Sequence, residues 1–279
     1  MRTTVNINNK LTMISEMIND STFQILEYEN LSGVSSIENT ININRLQNYG
    51  ITLKQARIIL DNSSVKVQPG ALSFMKGDVS IKSNIEVTSK FSQRLFKNKK
   101  IDESMIKPII EGKGEVFLEQ TLEYFTLVEL EDDEIIIDDN IFYACEEEIE
   151  IYKIMKRTSQ MKEDDEDIVQ LKLKGSGIVL LKIPVPESEI LRCKLYKDKL
   201  VVKDDLVVLR TGNVKLSVES SGNTIIRDIS DNDDKVDIYT GIGEAWIIPT
   251  KNIYNKTFNI SSDICEENFD DDDENDEIY

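Results

Sequence analysis

Apolar residues in this chain recur in short alternating runs, and the alternation loses phase wherever Gly, Asn or Asp residues intervene. The runs centre on residues 53–60, 65–67, 79–81, 116–118, 125–130, 135–137 and 141–144. They continue at 149–152, 169–173, 178–183, 190–195, 200–202, 206–209, 214–218, 224–229, 236–239 and 245–248. Runs of about 4–8 residues, rich in Val, Ile and aromatics and punctuated every 8–12 residues, predict the strands of an all-β sandwich. Ahead of them, 23–28 predicts a first strand, and the polar residues 1–20 predict one helical turn at most, around 11–18. Ile41, Leu46 and their neighbours predict a short helix over 37–48 that Gly50 ends, and 91–96 predicts a second. With 12 Gly and 5 Pro in the chain, Asp and Asn must make many turns, as at Asp132-Asp133, Asp138-Asp139-Asn140 and Asp204-Asp205.

The pattern repeats. Glu134-Ile135-Ile136-Ile137-Asp138-Asp139-Asn140-Ile141 returns 65 residues later as Lys199-Leu200-Val201-Val202-Lys203-Asp204-Asp205-Leu206. Upstream, Gly112-Lys113-Gly114-Glu115-Val116 returns 63 residues later as Gly175-Ser176-Gly177-Ile178-Val179. A third copy, Gly241-Ile242-Gly243-Glu244-Ala245, follows after another 66, and Lys76-Gly77-Asp78-Val79 is a degenerate fourth. Equal spacing at independent points implies duplication of one β unit. The units expected are an extension over 1–52 with the first strand and a helix, β units over 53–160 and 168–260, and an acidic tail over 261–279. A phosphate cradle would need its glycines to open a helix, yet Gly114 and Gly243 each lead into a strand. Gly77, Gly112, Gly114, Gly175, Gly177, Gly241 and Gly243 are therefore expected to be structural turns, where positive φ or close backbone approach is required.

Composition narrows the chemistry. With 40% hydrophobic and 30% charged residues the chain can bury a core. It has no histidine, which excludes His-based triads, bases and metal ligands. Lys plus Arg is 33 against 52 Asp plus Glu, a net charge of −19 that disfavours a nucleic-acid partner. Ten of the acids are Asp263, Glu266, Glu267, Asp270, Asp271, Asp272, Asp273, Glu274, Asp276 and Glu277, a block expected to be solvated and disordered or to meet a basic protein partner. Glu163-Asp164-Asp165-Glu166-Asp167 reads as a solvated loop between the halves, and Lys97, Lys99 and Lys100 form the one compact basic cluster.

Three scattered cysteines suit neither a disulfide framework nor a zinc site. Alternation puts Leu191, Cys193 and Leu195 on one core face, while the acids after Cys145 disfavour its thiolate. Asp231-Asn232-Asp233-Asp234-Lys235 starts like a calcium loop but places Lys at the fifth position and has no Gly at the sixth, so no metal or cofactor is expected. Trp246 stands three residues past Gly243, as Phe117 stands past Gly114, and this shared register implies core packing for both. Tyr124, Phe125, Phe142 and Tyr143 are expected to pack in the sheet. No apolar run suggests a signal peptide or a membrane span, so a cytoplasmic location is expected.

The segment Val67-Gln68-Pro69-Gly70-Ala71-Leu72-Ser73-Phe74-Met75-Lys76-Gly77-Asp78-Val79 resembles the opening signature of the altered-inheritance-of-mitochondria protein 24 family. The similarity continues through Gly175–Leu181, Leu200–Val208, Gly212-Asn213-Val214 and Gly241–Ile247, covering roughly residues 55–255. The resemblance implies a fold similar to the tryptophan RNA-binding attenuator protein, with duplicated β-sandwich units of double-stranded β-helix type. It also implies a homo-oligomer, by analogy a trimer, and supplies no catalytic residues. The expected function is a non-enzymatic β scaffold that binds a partner protein or small ligand. The alternative is a carboxylate-based enzyme or carbohydrate-binding module working in a sandwich groove.

Overall fold

The computed structural model describes residues 11–33, 36–82, 107–156, 168–203, 206–220, 235–251 and 253. The helix expected over 91–96, the strand over 224–229, the acidic stretches 163–167 and 261–279, Asp231–Asp234, Asp204-Asp205, Cys265 and the Lys97, Lys99 and Lys100 cluster lie outside the described residues. The chain is an all-β protein with one α-helix: β1 (Leu11–Ile18), β2 (Ser21–Tyr28), α1 (Ile37–Asn48), β3 (Leu53–Val67), β4 (Leu72–Lys82), β5 (Ile109–Leu118) and β6 (Tyr124–Asp138). After them come β7 (Phe142–Glu146), β8 (Glu150–Lys156), β9 (Ile168–Ile183), β10 (Leu191–Lys203), β11 (Val207–Thr211), β12 (Val214–Ser220) and β13 (Lys235–Ile247). The 13 strands form one hydrogen-bonded sheet along the path β1-β2-β3-β7-β9-β6-β11-β13-β10. On the side branches β5 joins β3 and β4, β8 joins β9, and β12 joins β13. β9 pairs with β6, β7 and β8, so the strands up to residue 156 and the strand that starts at residue 168 belong to one sheet.

α1 occupies 37–48 as its periodicity predicts: the Ser36 side chain accepts a hydrogen bond from Asn39 N, and Gly50 follows at φ 70°. The segment 11–18, expected to hold a helical turn, is instead a strand. Asn19-Asp20 make a tight connection, so β1 pairs antiparallel with β2, and ladder hydrogen bonds outweigh the weak local preference of a polar stretch.

The larger difference concerns strand length. Ten of the short runs read from the sequence are arms of longer strands: 53–60 with 65–67 make β3, 125–130 with 135–137 make β6, 169–173 with 178–183 make β9, 190–195 with 200–202 make β10, and 236–239 with 245–248 make β13. The residues between the arms break the alternation without ending the strand. In β3, β6 and β10 they are bulges: Asn62, Asp132 and Lys197 stand at φ 57°, 55° and 61°, each inside a register shift of its long strand. Opposite each bulge runs a Gly-X-Gly segment, namely Gly112 to Gly114 on β5, Gly175 to Gly177 on β9 and Gly241 to Gly243 on β13. The Gly-X-Gly strand bends there with its partner, and all of these glycines except Gly114 have φ between 129° and 156°.

At the first corner β4 crosses β5 with Gly77 directly opposite Gly114. Gly77 thus marks the strand facing the Gly-X-Gly segment. A Cβ on Gly114 would lie 2.2 Å from the Lys76 carbonyl oxygen, and one on Gly77 would lie 2.6 Å from that of Lys113, so two backbones approach too closely for any side chain.

Burial explains the unbroken apolar run in β9. Ile178 and Leu180 pack with Phe23, Ile58, Val116 and Phe125, while Val179 and Leu181 pack with Ile137, Phe142, Val208 and Trp246. Both faces of β9 are buried, so alternation disappears. A third cluster, Leu195, Val202, Val207, Val214, Tyr239 and Ala245, lies among β10 to β13.

A buried carboxylate fastens the N-terminal hairpin to this core. Glu146 accepts hydrogen bonds from Ser21 N at 2.8 Å, Asn19 Nδ2 at 2.8 Å and Ile178 N at 2.9 Å. That geometry needs a bare backbone beside it: a Cβ on Gly177, at φ 140°, would lie 2.7 Å from Glu146 Oε2. Gly177→Val is therefore expected to cost about 3 kcal/mol or more, combining backbone strain with loss of buried hydrogen bonds. Gly33→Ala, where a Cβ meets nothing within 4 Å, is expected to be neutral, and equilibrium denaturation of the two variants checks both values.

Candidate functional site

A cleft of about 450 Å³ opens where the β6 corner faces β10, β13 and the turn between β11 and β12. Its apolar floor is Val128, Leu130, Ile135, Leu209 and Trp246, and Glu129, Asp132, Asp133 and Glu134 stand along one rim. Asp132 is there because the β6 bulge turns it outward, its N–H donating to Ser176 Oγ at 2.9 Å. The turn Gly212-Asn213 adjoins Glu134 and completes the lining, held by Gly212 N donating to Glu134 O at 2.8 Å.

Three side chains organise the back of the cleft. Glu244 Oε1 accepts from Arg192 Nε and from Trp246 Nε1, each at 2.7 Å, and the Arg192 guanidinium lies 5.0 Å from the Trp246 ring centroid. Residues 244 and 246 share one face of β13 by strand periodicity, and register places Arg192 directly across from Trp246. Burial alone would raise the Glu244 carboxyl, but the hydrogen bonds from Arg192 and Trp246 and the charges of Arg192 and Lys194 outweigh it and hold the pKa below its ordinary value. On the rim, Glu134 pairs with Lys172 at 2.5 Å.

Beside the cleft, Arg210 is buried and ties four strands together. Its Nη1 donates to Val214 O and its Nη2 to Gln170 Oε1 at 3.4 Å, while Gln170 Nε2 donates to Asp138 Oδ1 at 3.2 Å. Burial lowers the Arg210 pKa against the opposing influence of Tyr239, Asp138, Asp237 and Glu134.

The sequence-predicted positions fall as follows. Gly241 and Gly243 stand at φ 132° and 156° on β13, which forms the cleft wall, whereas Gly77, Gly112, Gly114, Gly175 and Gly177 belong to the other two corners. Trp246 is in the core, with 7% exposure, as its register implies. Phe117 is not: it is half-buried and stacks on Phe74, its cross-strand partner on β4, with centroids 4.4 Å apart. Phe125, Phe142 and Tyr143 are buried in the sheet, and Tyr124 is half-buried beneath Lys54 Nζ, 4.1 Å from its ring. Leu195 is buried and Cys193 partly so, but Leu191 is 59% exposed, since β10 is the last strand of the sheet. Cys145 is fully enclosed, and burial pushes its thiol up to about 12, which makes it a packing residue. Arg192, Glu244 and the Arg210 network carried no signal in the sequence beyond the position of Glu244 in a Gly-X-Gly-Glu segment.

A second, acidic groove of about 530 Å³ lies among Asp20, Asp61, Asn62, Ser63, Ser64 and Glu146, Glu147 and Glu148. Glu146 is committed to the hairpin, and Glu147 accepts from Ser64 Oγ. Among the described residues no group of carboxylates and cysteines converges as a metal site, and no helix is long and apolar enough to cross a membrane.

A family model described as mitochondrial biogenesis AIM24 matches residues 47–250. Among solved structures, the chain is similar to a protein of Streptococcus pyogenes determined by X-ray crystallography, with a TM-score of 0.53 at 15% identity over 76% of this chain and 94% of that one. At that identity the likeness is one of fold. No curated protein matches the chain significantly.

Acid is expected to dismantle the Trp246 corner. Because the Glu244 pKa is depressed by folding, its contribution is fully present above the unfolded value near 4.3 and lost as pH falls through the lower folded value. Trp246 is the chain's single tryptophan, so its emission should step in that acidic window, and Glu244→Gln should remove the step and destabilise by about 1–2 kcal/mol. Cys145 should resist a thiol reagent until the chain is unfolded, which mass spectrometry of the labelled peptide reads directly.

Proposed function

The chain belongs to the mitochondrial biogenesis AIM24 family, and on that premise we propose that it is a non-enzymatic β scaffold that binds a partner protein or a small ligand in the Trp246 cleft. The observation that carries this reading is the state of the cleft's polar groups. Glu244 is committed to Arg192 and Trp246, and Glu134 to Lys172, so both carboxylates are held in place as binding surface. An open cleft with an apolar floor, one aromatic and a few oriented polar groups has the composition of a recognition site.

The sugar-binding or glycosidase alternative is less well supported. A sugar would stack on the face of an exposed aromatic ring, and the Trp246 ring is buried in the core with Arg192 over it. We further infer that the scaffold works as an assembly of its own copies, three by family resemblance. Met13, Ile14 and Ile18 on the outermost strand β1 are 49%, 48% and 64% exposed, an apolar edge that a solitary chain would leave in water.

Asn213→Trp fills the cleft from its turn and tests the binding reading. Immobilised wild type and Lys76→Ala should retain the same partners or ligands from extract, while Asn213→Trp should lose them by about tenfold or more. Equal retention by the filled variant, or turnover of a purified substrate, overturns the reading. Light scattering on the full chain should give a multiple of 31.9 kDa, and a monomer throughout would remove the assembly.

A further inference from the structure

Among the described residues, β10, β12 and β13 form a basic, partly apolar face. Register aligns Tyr196 of β10 with Ile242 of β13, and Lys199 of β10 with Thr240 of β13 and then Lys215 of β12. With Lys194, which shares the parity of Tyr196, and Lys197, whose Nζ lies 6.0 Å from the Tyr196 ring, these residues form a lysine-rimmed patch. Its centre is apolar, for Tyr196 is 75% and Ile242 49% exposed. Within β10 the only acid is Asp198, whose carboxylate already accepts from Tyr196 N at 2.7 Å. Glu244 at the far end is held by Arg192. In a chain of net charge −19, such a face invites an anionic occupant.

The chain itself delivers one. After β13, Ile248 N donates to Leu206 O at 2.9 Å, Thr250 Oγ1 donates to Glu189 Oε2 at 2.5 Å, and Ile253 N donates to Thr250 O at 2.9 Å. Glu189 is two residues before the first residue of β10. The remaining residues, 254–279, hold ten Asp and Glu against Lys256 alone. At about 3.3 Å per residue their span exceeds the length of a 13-residue strand roughly twofold.

We propose that the acidic C-terminal segment, residues 263–279, docks in cis on the face formed by Lys194, Tyr196, Lys197, Lys199, Ile242 and Lys215. Tethering supplies an effective concentration that a free anion reaches only near the millimolar range. Each lysine–carboxylate pair at the surface is weak, but several acting together form a network that salt can dissolve. The segment also covers Tyr196 and Ile242 beside the open edge of β10, an edge that would otherwise template pairing with other chains. None of these residues lines the Trp246 cleft, so the proposal is independent of the function argued for that site.

The test is amine-reactive footprinting, resolved by mass spectrometry, on the full chain and on a chain ending at residue 262. At low salt, Lys194, Lys197, Lys199 and Lys215 should label about fivefold more slowly in the full chain, with Lys76 of β4 unchanged as an internal control. The difference should vanish in about 0.5 M salt and stay constant over about a hundredfold range of protein concentration. Zero-length carboxylate–amine crosslinking should join the segment to the same lysines within one chain. Equal labelling of the two chains at low salt overturns the proposal, and protection that grows with protein concentration overturns docking in cis by assigning the segment to a neighbouring molecule.

Discussion

The architecture depends on backbones that cross without side chains between them. A β-strand of 13 to 16 residues, such as β9 or β13, is too long to lie flat over one core. Each bends at a place where a bulge on one strand faces Gly-X-Gly on the other. At Gly112 a Cβ would lie 2.1 Å from the Asp78 carbonyl oxygen, and at Gly241 it would lie 2.4 Å from that of Asn213. Those distances leave no room for adjustment by a rotamer, because the opposing atoms belong to main chain. A bulge facing Gly-X-Gly stands at all three corners, although at the second the tight neighbour is the Glu146 side chain beside Gly177, and each corner lets one strand contribute two arms.

Two-armed strands make the interior continuous. β9 and β7 carry residues into two apolar clusters at once: Phe142 and Cys145 face one, Tyr143 and Ala144 the other. The polar groups sealed between strands are consequently satisfied by ladder-like contacts, as Glu146 is by Ser21 N and Ile178 N. Among the described residues Arg210 is the exception, since its Nε has no partner while Nη1 and Nη2 are bonded. The cleft lies next to this network, and its shape follows from the corner: the bulge that bends β6 is what turns Asp132 towards β10 and β13.

Most of the strand content was legible in the sequence because Val, Ile and Leu alternate wherever one face is buried. What could not be read was continuity across Asn62, Asp132 and Lys197. Asn and Asp favour turns, and a bulge uses the same left-handed conformation as a turn, so a bend within a strand and a break between strands look alike. The strand at 11–18 was hidden for a different reason: its residues are largely exposed, and only pairing with β2 reveals it. At the candidate site Trp246 could be placed in the core from its register with Gly243, but Arg192 could not, because the relation between positions 192 and 246 is set by a long-range pairing. The basic face is equally invisible in one dimension, since Lys199 and Lys215 meet only through Thr240.

The ladders of β4 with β5, β8 with β9 and β12 with β13 close on the pairs Lys82 and Ile109, Lys156 and Ile168, and Ser220 and Lys235. Whatever polypeptide connects each pair starts and finishes at neighbouring backbone positions. Loop-closure entropy grows only logarithmically with length, so doubling such a connection costs about 0.6 kcal/mol. The three hairpin ends are therefore natural ports for variation, where lineages can lengthen, shorten or replace a connector, and an engineer can splice in a tag, without disturbing the framework behind it.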